Sequence, residues 1–274
     1  MAGAPNDAPR PRQRDLTLQD GCRLQLFWPV SEAFFRLFEG LPRQGPGSDG
    51  CTREALRRLG ALPVAPRVLD LGCGTGRSTL VLAAALRTRV IAVDNHRPFL
   101  DQLWATAQER GLEHLIEPRC ADMRAPRVPP GSIDLMWSEG ALYLLGFEAG
   151  LRLWRPLLAP GGCLAVSECS WLCADPPAEA VAFFRQGYPG MAGIEQNLGR
   201  ARAAGFDVFD HLTLPPAAWW DEYYMPLEAR IAHLAPEADA ELTAVIHETR
   251  REIELYRRHG DSYGYVFYLL RRSR

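Results

Sequence analysis

The feature that most constrains this chain is the run Val68-Leu69-Asp70-Leu71-Gly72-Cys73-Gly74-Thr75-Gly76. A short apolar segment feeds a loop with glycine at alternate positions, and a helical pattern follows at once. Glycine permits left-handed backbone angles and lets a ligand approach the main chain closely. Free N–H groups at the start of a helix bind a polar ligand. In open α/β sheets such ligands sit at the carboxyl ends of the strands. Two glycines in a loop prove little alone, so the surrounding pattern has to decide what the loop is for.

That pattern is regular from about Val64. Residues 67–71 (RVLDL), 90–94 (VIAVD), 115–120, 133–138 (IDLMWS) and 163–168 (CLAVSE) read as strands. Helical spacing is found at 79–86, at 98–110 with Phe99, Leu100, Leu103 and Trp104, and at 148–158, which ends at the stop signal Pro160-Gly161-Gly162. Strands alternating with helices indicate βαβ units and a parallel sheet, an α/β doubly wound fold. The strands are nearly continuous apolar runs, as expected when both faces are covered. Beyond residue 175 the pattern changes. Residues 178–186 and 195–204 look helical, 206–214 (FDVFDHLTL) alternates like a strand, and a mostly helical stretch runs to about His259. The aromatic run 262–270 (SYGYVFYLL) reads as a last strand, so an antiparallel pair finishes the sheet. Short helices at 31–38 and 53–59 precede it all. The organisation expected is a flexible tail over 1–19 and a single domain over 20–274, with a helical, substrate-covering insertion at about 175–260.

Two acidic residues extend the meaning of the glycine loop. Asp94, with Asn95 beside it, ends the second strand and can accept hydrogen bonds from ribose hydroxyls. Asp122 follows the third strand; it can accept from an exocyclic adenine amine while Met123 packs on the ring. Together they read a nucleoside. The dinucleotide fingerprint needs its third glycine at position 77, where this chain has Arg77. Asp70 would also add negative charge beside a pyrophosphate. Both points disfavour a nicotinamide oxidoreductase.

The run Asp70-Leu71-Gly72-Cys73-Gly74-Thr75-Gly76 resembles the first motif of the class I S-adenosylmethionine (SAM)-dependent methyltransferases. Asp94, Asp122 and the strand containing Ile133-Asp134-Leu135 match that family's later landmarks in order and spacing. The resemblance covers roughly residues 64–170 and the terminal strand. It implies a seven-stranded sheet with its last strand antiparallel, SAM as cofactor, and Gly72, Gly74 and Gly76 around the amino acid tail of SAM. A narrower resemblance, to bacterial small-molecule methyltransferases related to the quinone-methylating type, rests on Trp137-Ser138-Glu139-Gly140-Ala141-Leu142-Tyr143, Ser167-Glu168-Cys169-Ser170-Trp171 and the tail Tyr263-Gly264-Tyr265-Val266-Phe267-Tyr268.

Composition narrows the alternatives. The 274 residues carry a formal charge of −2, so no basic excess marks a nucleic-acid binder. There is no lysine, which excludes Schiff-base chemistry and the P-loop phosphate cradle. Seven cysteines with no CxxC pair suit reduced thiols in a cytoplasmic protein rather than a disulfide framework, and no histidine pattern suggests a metal. No apolar run is long enough to span a membrane. A small-molecule acceptor, no nucleic-acid or membrane partner, and a homodimer left open are therefore expected.

The reacting groups should lie at the ends of the fourth and fifth strands. Glu139 and Glu168 close those strands, which are expected to be neighbours about 4.8 Å apart. Both carboxylates are expected to face one pocket, where one serves as a general base or the pair holds a cationic amine. Tyr143 can orient the nucleophile or face the sulfonium. Trp171, Trp219, Trp220, Tyr223 and Tyr224 are candidates for an aromatic lid, and Trp28 for a cap on the cofactor. His96 reads as a solvated loop residue. Arg250, Arg251, Glu252, Glu254, Arg257 and Arg258 read as a solvated helix face. A SAM-binding regulatory protein without turnover is the rival reading.

Overall fold

A computed structural model describes residues 31–273. The expected tail and Trp28 lie outside the described residues. Among the described residues eight strands form one sheet: β1 (Val68–Leu71), β2 (Val90–Asp94), β3 (Ile116–Cys120), β4 (Ile133–Glu139), β5 (Leu158–Trp171), β6 (Ala192–Gly193), β7 (Phe206–Thr213) and β8 (Tyr263–Arg272). Seven of them run in the order β3-β2-β1-β4-β5-β8-β7, and the two-residue β6 pairs with β5 off this path. The first five are mutually parallel, and β8 is antiparallel to both β5 and β7. Strand order therefore reverses between β1 and β4, which opens a crevice at their carboxyl ends.

The helices are α1 (Glu32–Phe38), α2 (Asp49–Arg58), α3 (Arg77–Leu86), α4 (Arg97–Glu109), α5 (Phe147–Trp154), α6 (Ala178–Gly187), α7 (Ile194–Ala203), α8 (Ala217–Trp219), α9 (Met225–Leu234) and α10 (Ala240–His259), with a π-helical turn at Trp220–Tyr224 joining α8 to α9. Strand alternation sorts the core into two faces. Val68, Ala92, Trp137, Ala165 and Phe267 pack under α2, α3 and α4. Leu69, Val93, Met136, Val166 and Tyr268 pack under α5 and α7. A third cluster joins α1, α6, α9 and α10 over the far end of β5 and β8.

One boundary differs from the sequence reading. The helix expected over 148–158 stops at Trp154, a 3-10 turn follows, and β5 has already begun at Leu158. Pro160-Gly161-Gly162 thus lies inside a strand. The entry is irregular: Ile133 pairs with Leu158, then the register slips so that Leu135 pairs with Cys163. Gly161 has φ +74°, a conformation that absorbs the slip in a way a side chain would resist.

Candidate cofactor and acceptor site

The glycine loop takes its shape from three left-handed residues in nine: Gly72 (φ +67°), Gly74 (φ +53°) and Gly76 (φ +77°). Strand β1 ends at Leu71, and the N–H groups of Gly72 and Cys73 both donate to the Val93 carbonyl of β2, at 2.9 and 3.0 Å. Gly76 starts α3 without a capping side chain. Asp70 supplies the anchor instead. It is fully buried, and its Oδ2 accepts from Ser78 Oγ at 2.8 Å and Thr79 Oγ1 at 2.7 Å in the first turn of α3. Burial pushes its pKa up to about 7 despite those bonds.

The loop borders a cavity of about 470 Å³, within the range of small-molecule sites. Six of the eight cofactor residues expected from sequence line it: Gly72, Gly74, Asp94, Asn95, Asp122 and Met123. Asp70 and Gly76 stand behind it. Asp70 holds the loop to α3, and the space where a Gly76 side chain would go is filled by Leu103 of α4.

At the end of β2, Asp94 accepts from the N–H of Gly74 at 2.9 Å and of His96 at 2.8 Å, one on each oxygen. A lone pair on each oxygen remains for a ligand hydroxyl. Burial raises the Asp94 pKa, opposed by these N–H donors. Asp122 is exposed and takes the Arg124 N–H and guanidinium, while Trp154 donates to the Met123 carbonyl at 3.0 Å and pins that loop. His96 is not a solvated loop side chain. Its ring stacks on Phe35 at 3.5 Å and 2°, and Nε2 lies 2.6 Å from Glu39 Oε1. The stack lays α1 across the Asp94 end of the cavity, where Phe34, Phe35 and Phe99 complete an apolar wall.

Sequence reasoning missed the segment between α1 and α2. Arg43 and Gln44 both line the cavity. Gln44 Oε1 accepts from the Thr75 N–H at 3.0 Å, and the Thr75 hydroxyl donates to the Pro42 carbonyl at 2.9 Å. Arg43 is 7% exposed and bridges Glu139 and Asp49, each at 3.1 Å; its Nε has no partner. The run Gly40-Leu41-Pro42-Arg43-Gln44-Gly45-Pro46-Gly47 has no periodicity, so only its Pro and Gly content was legible, and that signals a loop.

Glu139 is in the cavity wall with its carboxylate committed. Oε1 accepts from Thr52 Oγ1 at 2.7 Å and Trp137 Nε1 at 2.9 Å, and Oε2 from Arg43. Glu168 does not join it. Glu139 pairs with Ser167, so Glu168, one residue on, projects from the other face of the sheet. The expected convergence of the two carboxylates fails for that reason of register. Glu168 is fully buried, and burial raises its pKa to about 8, with the nearby Tyr188 hydroxyl and the Arg200 charge pulling it down. Tyr143 does line the cavity. Of the expected lid, Trp219, Tyr223 and Tyr224 are core residues: Trp219 stacks on Tyr256 at 4.2 Å, and Trp171 packs edge-on to Phe184. None lines the cavity.

Known proteins match this arrangement. Residues 68–162 match a family model described as a methyltransferase domain. The chain is 28% identical over 258 residues to a demethylmenaquinone methyltransferase of Clavibacter sepedonicus, covering 90% of this chain and 96% of that protein. In sequence the chain thus resembles the methyltransferases. It is also 37% identical over 170 residues to a trans-aconitate 2-methyltransferase of Methylobacterium nodulans, covering 60% of this chain and 62% of that enzyme, less than two thirds of its length. Its fold superposes on a SAM-dependent methyltransferase from Thiobacillus denitrificans in complex with S-adenosyl-L-homocysteine, with a TM-score of 0.75 at 21% identity, covering 88% and 98% of the two chains. No helix among the described residues is long and apolar enough to cross a membrane.

Proposed function

We propose that this chain is a methyltransferase that moves the methyl group of SAM to a small-molecule acceptor held at the Tyr143 end of the cavity. The observation that carries the reading is that one cavity joins two unlike ends. At one end Asp94, Asp122 and Met123, with the wall of Phe35 and Phe99, suit a nucleoside. At the other, Glu139, Gly140 and Tyr143 lie at the end of β4.

SAM supplies a methyl group already activated by a sulfonium, so the chain needs to position the partners and accept a proton where the nucleophile carries one. Asp94 would accept from the ribose hydroxyls, and Asp122 from the adenine amine. The backbone of Gly72 and Gly74 would run beside the amino acid tail, whose carboxylate suits the Arg43 guanidinium. Glu139 acts here through Arg43, as a positioning residue: three donors occupy its two oxygens. A formal charge of −2 with no basic excess suits a small acceptor, in the cytoplasm, better than a nucleic acid.

The test is binding and turnover together. Titration calorimetry should show SAM binding and no NAD binding. A panel of small acceptors should then release S-adenosylhomocysteine with at least one member. NAD binding without SAM binding would refute the reading, and SAM binding with no turnover on any acceptor would favour a regulatory protein.

A further inference from the structure

Residues 41–47, between α1 and α2, run along the cavity beside the glycine loop. Leu41 fixes one end: it is buried in the cluster of α1 and α10, and its carbonyl accepts from Gln102 Nε2 of α4 at 3.1 Å. Gly47 fixes the other, donating its N–H to the Ala218 carbonyl at 3.0 Å. Between them Arg43, Gln44, Gly45 and Pro46 line the cavity. Pro42 and Pro46 have no N–H, and the N–H groups of Arg43, Gln44 and Gly45 make no hydrogen bond among the described residues. The middle of the segment is thus held to the body only by bonds that involve a side chain. Two come from Thr75 of the glycine loop, to Gln44 Oε1 and to the Pro42 carbonyl, and two are the ion pairs of Arg43 with Glu139 and Asp49. A segment without backbone pairing opens locally with a free energy far below that of global unfolding.

The bond to Thr75 changes what the glycine loop can offer a ligand. The Thr75 N–H lies just ahead of α3, where a loop of this kind presents donors to an anion. Gln44 has taken that donor, and its amide oxygen stands where a Gly74 side chain would go. A carboxylate beside the loop therefore needs donors from elsewhere. Among the described residues three guanidinium groups line the cavity. Arg124 is on Asp122, and Arg77 turns Nε and Nη2 onto Asp49 Oδ1 at 3.2 and 3.0 Å. Arg43 is 7% exposed, and its Nε has no partner. A buried donor left unpaired is costly, and a carboxylate is the strongest acceptor for a guanidinium. Gln44 Nε2 adds a further donor, since only one of its two hydrogens is taken, by the Leu41 carbonyl at 3.3 Å.

We propose that residues 41–47 are a strap that closes on the carboxylate of the cofactor's amino acid tail, which Arg43 and Gln44 bind. The inference rests on SAM being the cofactor and adds the part of the chain that reads its tail and covers it. A cofactor without the carboxylate occupies the Asp94 end and leaves the strap free to open. Arg43 also pairs with Glu139 at the end of β4, so the closed strap reaches the acceptor end of the cavity as well.

Trypsin reads the strap directly. The chain has no lysine, so trypsin cuts only after arginine, and Arg43 is buried while the strap is closed. Cleavage of the Arg43–Gln44 bond requires the strap to lift, and its rate follows the open population when closing is fast. Mass spectrometry of the new N-terminus at Gln44 measures it on the full chain. Saturating SAM should slow this cut about tenfold or more, because it binds the closed form. Decarboxylated SAM, which keeps the nucleoside, sulfonium and amine, should bind about tenfold more weakly. Once saturating, it should leave the cut within about twofold of the ligand-free rate. Thr75→Val, which loses the hydroxyl bonded to Pro42, should speed the ligand-free cut, and Thr75→Ser should restore the parent rate. Cleavage after Arg250 of α10, which does not line the cavity, reports global stability and should be slowed by SAM less than the cut at Arg43. Several results overturn the strap and leave SAM binding standing: no slowing by bound SAM, equal slowing by the two compounds, equal slowing at Arg250, or a Thr75→Val chain cut at the parent rate. Failure of SAM to bind in calorimetry removes the methyl-transfer reading itself.

Discussion

Two glycines of the same loop should fail in opposite ways when replaced by alanine. Gly76 has φ +77°, lies outside the cavity lining, and its added Cβ would overlap the Leu103 side chain of α4, which is completely buried. Left-handed backbone costs alanine about 1–2 kcal/mol. Forcing a methyl into a packed core costs about 1–3 kcal/mol more. Gly76→Ala should therefore destabilise the fold by about 2–5 kcal/mol, a melting-temperature loss on the order of 10 °C for a domain of this size. Gly74 has φ +53° and faces the cavity, and its Cβ would meet only the end of the flexible Gln44 side chain. Gly74→Ala should thus lose about 1–2 kcal/mol of stability from backbone strain and about 1 kcal/mol more as Gln44 gives up its bond from the Thr75 N–H, but much of its SAM affinity. Thermal melts read the first quantity and calorimetric titration of SAM on the folded protein reads the second. Leu103→Ala in the Gly76→Ala background should recover part of the overlap cost. If Gly76→Ala melts like the parent, or if both variants lose stability and SAM affinity in the same proportion, the assignment of Gly76 to packing and Gly74 to the ligand is wrong.

Asp94→Asn should weaken SAM binding roughly 10- to 100-fold, the value of one or two charge-assisted hydrogen bonds, with the melt little changed; calorimetry checks it. Glu139→Gln should lower stability by on the order of 2 kcal/mol, because a buried charge that Arg43, Thr52 and Trp137 all address is lost. A urea melt measures this, and an unchanged melt with abolished turnover would make Glu139 a base instead of a clamp. Stability should also fall as pH rises from about 5 to 8. Asp70, Glu168 and Glu252 have folded pKa values raised to about 7, 8 and 7, so the folded state holds protons that the unfolded chain has released. Their contribution is complete below the ordinary carboxylate range and is lost through those raised values. Melting temperatures across that window should decline, and Glu168→Gln should flatten the slope; a rise would contradict the burial argument.

The gathering of six of the eight expected cofactor residues around one cavity was legible because local chain geometry fixes their places. Gly72 and Gly74 follow a strand end, and Asp94 and Asp122 each follow the next one, so sequence spacing maps directly onto position around the crevice. Asp70 was legible as important and misplaced in role: its hydroxyl partners Ser78 and Thr79 lie just ahead in sequence, but nothing in the spacing says that its side chain turns toward them. Arg43 and Gln44 were not legible, since a loop without periodicity gives no direction. The aromatic run Trp219-Trp220-x-x-Tyr223-Tyr224 could have been lid or core. Contacts with Tyr256 of α10 and Tyr263 of β8 made it core.

The glycine loop with its following acids, and the alternation of apolar strands with helices, determined by themselves the sheet, its antiparallel close and the class of cofactor. These are matters of local backbone freedom and of periodicity, which sequence carries directly. The acceptor end was decided by tertiary structure. Whether Glu139 and Glu168 share a pocket depends on a register that pairs Glu139 with Ser167, because a shift of one residue moves a side chain to the other face. Whether Glu252 faces solvent depends on what packs against α10. Both are long-range relations between segments more than 25 positions apart, and no local pattern encodes them.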